Sequence, residues 1–263
     1  MIHVAIVSHG HENLLIASGM GGLRDAGANM HVWIKDNRPS SLLKAYCLQH
    51  GLSYTDEQPG LGFGENNNYL FDLISNSVGF DEGDTFIVMN PDITTTPATI
   101  LTLVENMRRD DFPIATINLY RDEQHQHIDA NIRRFPNVIS LLRMVAVRSL
   151  SEPYDKKNMT EACHVDWASG AFLAFDAAHY RTLQGFDTRY FMYFEDVDIC
   201  YRSYQLLGKG IRFYPKLDAT HTAAHKNRNL VSRHASWFFR SFLKFLSRRY
   251  FVYDRRTNLP ASD

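Results

Sequence analysis

IHVAIVSHG, residues 2–10, is a nearly continuous, β-branched apolar run that stops abruptly at Ser8-His9-Gly10. A strand apolar on both faces must be covered on both, which is the condition of a parallel strand inside an α/β sheet. The segment that follows, as far as Gly27, has helical spacing weakened by Gly19, Gly21 and Gly22. Met30 to Ile34 repeats the strand pattern and ends in Lys35-Asp36-Asn37. Ser40 or Ser41 can cap a helix reaching about His50, and Leu52 to Tyr54 makes a short third strand.

Strand, helix, strand, helix, strand is the opening of a Rossmann-like nucleotide-binding half, whose ligand lies beyond the carboxyl ends of the strands. Ser8, His9, Gly10, Asp36 and Asn37 stand at those ends. Next comes Gly60-Leu61-Gly62-Phe63-Gly64-Glu65-Asn66-Asn67-Asn68, ahead of the helical pattern Leu70, Phe71, Leu73, Ile74. Glycines before a helix let backbone N–H groups approach a phosphate or sugar, although the spacing matches neither the dinucleotide fingerprint nor the P-loop. Thr85 to Met89 is a further buried strand running into Asn90-Pro91-Asp92, and Thr96-Pro97 starts a helix to about Met107. An acid at the end of a central strand can hold a divalent cation against a diphosphate, or can simply belong to an Asn-Pro-Asp turn.

The composition sets outer limits. The chain has 263 residues, 44% hydrophobic and 22% charged, with a formal net charge of -1, which offers no global electrostatic case for nucleic acid. Three separated cysteines (Cys47, Cys163, Cys200) supply neither a disulfide framework nor a thiolate zinc site. The N-terminus carries no secretory pattern and no apolar run reaches membrane-spanning length, so a reducing, cytoplasmic setting is expected.

After a strand at Ile114 to Leu119, residues 120–136 are rich in His, Asp and Arg, and the polar loop 151–161 follows an apolar stretch at 138–147. Both read as a flap or acceptor-binding insertion, in which Arg133 and Arg134 either meet a phosphate or are solvated surface charge. Trp167, near Ser169-Gly170, suits either a sugar ring or the core. GFDTRYFMYFEDVDICYR, residues 185–202, crowds Asp187, Glu195, Asp196 and Asp198 among aromatics, and the last three fall in the first turn of a helix that Gly208 stops. An apolar wall raises a carboxyl pKa, and that makes a general base. Strands at Ile211 to Tyr214 and Ala219 to Thr222 lead to His221 and His225. The segment from Lys226 to Tyr250 has seven Lys or Arg and no acid among large aromatics, the pattern of a basic amphipathic helix lying on an anionic leaflet or of a terminal helix packed on the domain.

In this order, Ser8-His9-Gly10, Asp36-Asn37, GFGENNN, NPDI, VDWASGAF, GFDTRYFMYFEDVDIC and the HTAAH segment resemble the family 2 glycosyltransferases with the GT-A fold. They are most similar to bacterial rhamnosyltransferases that move L-rhamnose from dTDP-L-rhamnose to GlcNAc-diphosphoryl-polyprenol in O-antigen and cell-wall assembly. The resemblance implies an α/β GT-A domain over 1–225, split into a nucleotide-sugar half (1–92) and an acceptor and catalytic half (93–225), and a membrane-associating segment over 226–263. It implies a donor site from Ser8, His9, Gly10, Asp36, Asn37, Gly62, Phe63, Gly64, Asn67, Asn68 and Asn90, and an acceptor site from Trp167, Ser169, Gly170, Arg133 and Arg134. Asp92 and His221 would hold Mg2+ or Mn2+, with Asn90 replacing the first acid of the commoner Asp-x-Asp form. Asp196 would be the base of an inverting reaction, with Glu195 orienting it or touching the acceptor, at the inner face of the cell membrane. A galactofuranosyl or other UDP-hexose transferase, a nucleotidyltransferase and a non-catalytic sugar-nucleotide-binding protein are the alternatives, and self-association stays open.

Overall fold

A computed structural model describes residues 1–24, 29–140, 151–222 and 233–251, with side chains for all of these except 233–235. His225, most of the 138–147 stretch and the start of the basic tail lie outside the described residues. The strands are β1 (Ile2–Ser8), β2 (Met30–Asp36), β3 (Ser53–Thr55), β4 (Thr85–Met89), β5 (Ile93–Thr94), β6 (Ile114–Tyr120), β7 (Ile132–Arg133), β8 (Cys163–Val165), β9 (Trp167–Ala168), β10 (Phe172–Asp176) and β11 (Ile211–His221). The α-helices are α1 (Glu12–Ala17), α2 (Ser41–Gln49), α3 (Phe63–Ser77), α4 (Pro97–Arg109), α5 (Ala177–Thr182), α6 (Glu195–Leu207) and α7 (Arg233–Tyr250).

The main sheet runs β3-β2-β1-β4-β10-β6-β11-β5, with β8 beside β11. β3, β2, β1 and β4 are parallel, and their register sets Ser8 opposite Asp36 at a shared carboxyl edge. β10 enters antiparallel between β4 and β6, so the sheet is mixed and continuous across residue 92. Alternation along β1 builds two cores. Val4 and Ile6 join Leu15, Leu43 and Ile100 under α1, α2 and α4, whereas Ala5 faces Phe71, Tyr180, Val197 and Phe242 from α3, α5, α6 and α7.

Local chemistry sets the helix starts. Ser40 Oγ accepts the Leu43 N–H at 3.3 Å, and Thr96 Oγ1 accepts that of Thr99 at 3.1 Å ahead of Pro97. The long helix read up to Gly27 is shorter: α1 ends at Ala17 and Gly19 turns left-handed (φ 65°), a conformation glycine adopts without steric cost. The two late strands are one, β11, whose register against β6 shifts between Tyr214 and Asp218.

The described part of the tail is a helix packed on the domain. α7 packs its Phe238, Phe242, Phe245 and Leu246 face into the α6 core, and Phe242 and Phe245 are both 0% exposed. Ser241 Oγ donates to the Met192 carbonyl at 3.1 Å, Lys244 Nζ to that of Arg189, and Arg249 Nη1 to that of Pro136 at 2.6 Å. Its opposite face leaves Phe239 (44% exposed) and Leu243 (46%) in the open beside Arg240 and Lys244. No described helix is long and apolar enough to cross a membrane.

Candidate active site

A cleft of about 560 Å3 opens at the carboxyl edge of the parallel strands. Its walls include His9, His11, Asn37, Phe63, Asn66, Asn67, Asn90, Asp92 and, from the far side, Phe191, Met192 and Trp237. Asn66 and Asn67 are buried in the first turns of α3. Their amide nitrogens are spent on the carbonyls of Leu61, Gly62 and Phe63, which leaves both Oδ1 atoms without partners. Buried acceptors are seldom left unsatisfied, so an ordered water or a ligand is the expected partner of each. The same holds for Asp92 Oδ1 and Ser169 Oγ.

Asp92 and His221 meet: His221 Nε2 lies 3.3 Å from Asp92 Oδ2, while its Nδ1 is 2.7 Å from Asp129 Oδ2. Burial alone would lower the imidazole pKa, but hydrogen bonds to Asp129 and Asp92 outweigh it and hold it up at about 9. Among the described residues no three His, Cys, Asp or Glu side chains converge as a ready metal cage.

The acids of residues 187–198 separate into different environments. Asp187 is clamped by Arg189 (Nη2 to Oδ2, 2.6 Å). Asp198 lies between Arg202 (2.7 Å) and Arg248 of α7 (3.2 Å), fully buried. Among the described residues Asp196 instead receives backbone donors alone, the Gly170 N–H at 3.0 Å and the Val197 N–H at 2.8 Å. Burial lifts its carboxyl above the usual aspartate range, the two N–H groups and the nearby Arg133 charge restraining the rise. Glu195 is pushed well above its usual value by burial and then by the Asp196 charge, and its Oε2 has no hydrogen-bond partner. Burial therefore favours the protonated form more strongly at Glu195 than at Asp196.

The turn presenting these acids is strained. Tyr193 (φ 70°) and Phe194 (φ 72°) are consecutive aromatic residues in the left-handed region, a conformation that persists only where packing enforces it. The enforcement comes from α7. Phe238 packs on the Tyr193 and Phe194 rings at 5.6 and 5.3 Å, and Phe242 and Phe245 on Phe194 at 5.6 and 5.9 Å.

Several expected contacts take other roles. A Cβ at Gly62 would stand 2.5 Å from the Phe191 carbonyl oxygen, and Gly64 abuts Phe186, so these glycines let α3 dock against the acid-bearing loop rather than bare its N–H groups to a phosphate. Gly170 is required for a similar reason: a Cβ there would meet the Phe63 ring at 2.8 Å, and Phe63 in turn lines the cleft. Asn68 is structural, with Nδ2 donating to the Phe186 carbonyl and Oδ1 accepting from Phe186 N–H and Tyr180 Oη–H. Trp167 is a core residue whose indole N–H donates to the Arg134 carbonyl at 2.9 Å, so it offers no face to a sugar. Asp36 is buried and already accepts from Ser40 N–H, Arg38 N–H and Tyr54 Oη–H; of the pair, Asn37 reaches the cleft. Ser8 is buried beside it, with Oγ accepting the His11 N–H at 3.4 Å. Gly10 turns with φ 74° between His9 and His11. The neighbouring arginines part company: the Arg133 charge reaches Asp196, whereas Arg134 lies over the Tyr154 ring in another depression. Residues the sequence reading passed over are Asn66, His11, Trp237 and Asp129. The asparagine run and the helix-face aromatics carried a signal for Asn66 and Trp237, and an acid in a charged loop carried none for Asp129.

With a cleft along the parallel strand ends and an acid-led helix behind it, the chain is a glycosyltransferase with the GT-A fold. Over 256 residues, 97% of this chain and 96% of the relative, it is 29% identical to rhamnosyltransferase WbbL of Escherichia coli (strain K12). No family model matches. Among solved structures it resembles GalNAc-T7 with UDP, GalNAc and Mn2+ (TM-score 0.67, 14% identity, 94% of this chain). It also resembles mannosyltransferase PcManGT from Pyrobaculum calidifontis in complex with GDP-Man and Mn2+ (TM-score 0.57, 10% identity, 86% of this chain). The chain spans 47% and 58% of those two chains, and at such identities they speak for the fold.

Proposed function

We propose that this chain is an inverting rhamnosyltransferase that takes L-rhamnose from dTDP-L-rhamnose and places it on a GlcNAc-diphosphoryl-polyprenol in O-antigen or cell-wall polysaccharide synthesis. Likeness to WbbL along nearly the whole of both chains supports the sugar. The observation that carries the reaction type is Asp196, held by two backbone N–H groups and, among the described residues, by no cationic side chain in bonding contact, beside Glu195, whose carboxyl burial and the Asp196 charge push well above its usual value. An acceptor hydroxyl within hydrogen-bond reach of Asp196 gives up its proton to that carboxylate as its oxygen attacks the anomeric carbon. The bond from that carbon to the donor diphosphate breaks, and the nucleoside diphosphate leaves with the electron pair. A single displacement from the face opposite the leaving group inverts the centre. The free oxygens of Asn66, Asn67 and Ser169 accept hydrogen bonds from the sugars, and Arg133 offsets charge near the acceptor.

The fold family implies a divalent cation, and the residues present fit one. Asp92 offers an unpartnered buried oxygen with the His221 ring beside it. Asp92 Oδ1 and His221 Nε2 would hold Mg2+ or Mn2+, with phosphate oxygens and water completing the shell. The cation would offset charge on the departing diphosphate.

Incubation with Mg2+, a panel of dTDP- and UDP-sugars and a GlcNAc-diphospho-lipid tests the reading. Transfer from dTDP-L-rhamnose is expected. Transfer from a UDP-hexose alone would replace the donor, and no transfer to any lipid would leave a sugar-nucleotide-binding protein.

The polyprenyl acceptor calls for a chain that reaches the inner leaflet, and the outer face of α7 supplies Phe239 and Leu243 between Arg240 and Lys244. Each basic residue near an anionic surface is worth about 1 kcal/mol. The double variant Arg240→Gln with Lys244→Gln is therefore expected to partition roughly 30-fold more weakly onto anionic vesicles in a sedimentation assay. Undiminished sedimentation would remove this face from the membrane.

A further inference from the structure

Residues 121–131 fold back along the end of β6. The Arg121 N–H donates to the His127 carbonyl at 2.8 Å, and the Asp129 N–H to that of Leu119 at 2.8 Å. This return sets the buried Asp129 carboxylate directly against His221, Oδ2 lying 2.7 Å from Nδ1. The other ring nitrogen, Nε2, looks toward Asp92 at 3.3 Å. A carboxylate at Nδ1 calls for a proton on that nitrogen, so when a cation displaces the ring's other proton the lone pair it meets is on Nε2, on the Asp92 side.

We propose that Asp129 is a positioning residue: by accepting from His221 Nδ1 it fixes the tautomer and plane of the ring, so that His221 Nε2 and the free Asp92 Oδ1 face one divalent cation together. The inference rests on the cation reading above. Two basic side chains lie about the Asp129 carboxylate. Arg121 Nε is 3.7 Å from its Oδ1. The buried Lys156, tied to Asn118 at 2.9 Å and to Asn131, has its pKa lowered by burial to about 7 and when protonated adds positive charge near the same carboxylate. A metal-bound histidine whose second nitrogen is held by a carboxylate is a recurrent arrangement, and loss of that partner typically weakens the metal 10- to 100-fold. Without Asp129 the ring is free to rotate and to place its proton on Nε2, which would close that ligand position.

The test is Mn2+ titration of the purified full-length chain, followed by the electron paramagnetic resonance of free Mn2+, with circular dichroism to establish folding. Asp129→Leu, which removes the acceptor, is expected to raise the Mn2+ Kd by up to about 100-fold. Asp129→Asn, a neutral group of the same size, should raise it by about tenfold and serves as the measurement if the leucine variant does not fold. A purely structural Asp129 would lower thermal stability and leave the Kd of the folded fraction untouched, and that result overturns the proposal. Asp92→Ala separates the two levels. If it weakens Mn2+ while folded Asp129→Asn binds like wild type, this inference fails and the cation site stands. If wild type binds no Mn2+ and its transfer resists chelators, both fall.

Discussion

Replacing Asp196 by Asn is expected to lower kcat by roughly 10²- to 10⁴-fold, the usual contribution of a positioned general base, while the donor Kd stays near wild type. The local geometry makes the substitution more than a loss of charge. Both Asp196 oxygens accept backbone N–H groups, from Gly170 and from Val197, and an amide can accept at only one of them. The amide nitrogen then faces a donor, a mismatch costing about 1–3 kcal/mol for a buried group, so folded fraction and turnover are to be measured separately. Single-turnover kinetics in a folded sample, with donor binding followed calorimetrically, check the claim; equal losses of binding and turnover would make Asp196 a structural acid. The pH dependence follows from the same surroundings. Burial raises the Asp196 carboxyl above the ordinary aspartate value, and the base acts deprotonated. Activity therefore falls as pH drops through that raised value, giving an acidic limb displaced upward from that of a solvated aspartate, and Asp196→Asn should lack the limb.

The second large effect is on stability. Phe242 and Phe245 are fully enclosed between α7, α6 and the strained turn, and truncating a buried phenylalanine to alanine costs about 3–5 kcal/mol. For Phe242→Ala we expect a loss in that range by denaturant unfolding, accompanied by reduced turnover even in conditions where the variant is folded, because the cavity opens beside Phe194. Phe239→Ala, one residue type on the outer face, should change stability by no more than about 0.5 kcal/mol. If the two variants unfold alike, α7 does not hold the turn.

Much of this architecture was legible in the letters, for identifiable reasons. Continuous apolar runs marked β1, β2, β4 and β6, since a strand buried on both sides has no polar face to confuse it. Cap residues marked α2 and α4, and Gly208 marked the end of α6. Within the site, strand ends and a helix start located Asp92, Asp196 and the Ser8–Asp36 edge, because a side chain at the end of a regular element inherits its place. Long-range pairing was not legible. Nothing in the spacing of residues 120–136 says that the loop returns to β6 and delivers Asp129 to a histidine 92 positions later. Nor does a run of three asparagines distinguish Asn68, which is consumed by Phe186 and Tyr180, from Asn66 and Asn67, whose oxygens stay free. The glycines signalled a close approach without saying of what, because close approach by a ligand and close approach by Phe191 leave the same mark on a sequence. The basic aromatic tail was ambiguous because α7 has two apolar stripes, one turned inward and one outward.

Holding Tyr193 and Phe194 with left-handed backbones costs of order 1–3 kcal/mol at each residue. Glycine at either place would relax that tension, but at Phe194 it would also remove the ring that Phe238, Phe242 and Phe245 pack against, a loss of about 3–5 kcal/mol that outweighs the relief. Aromatic bulk at these two positions thus supplies the very packing that keeps the backbone where it would not otherwise stay, and with it the aim of one carboxylate.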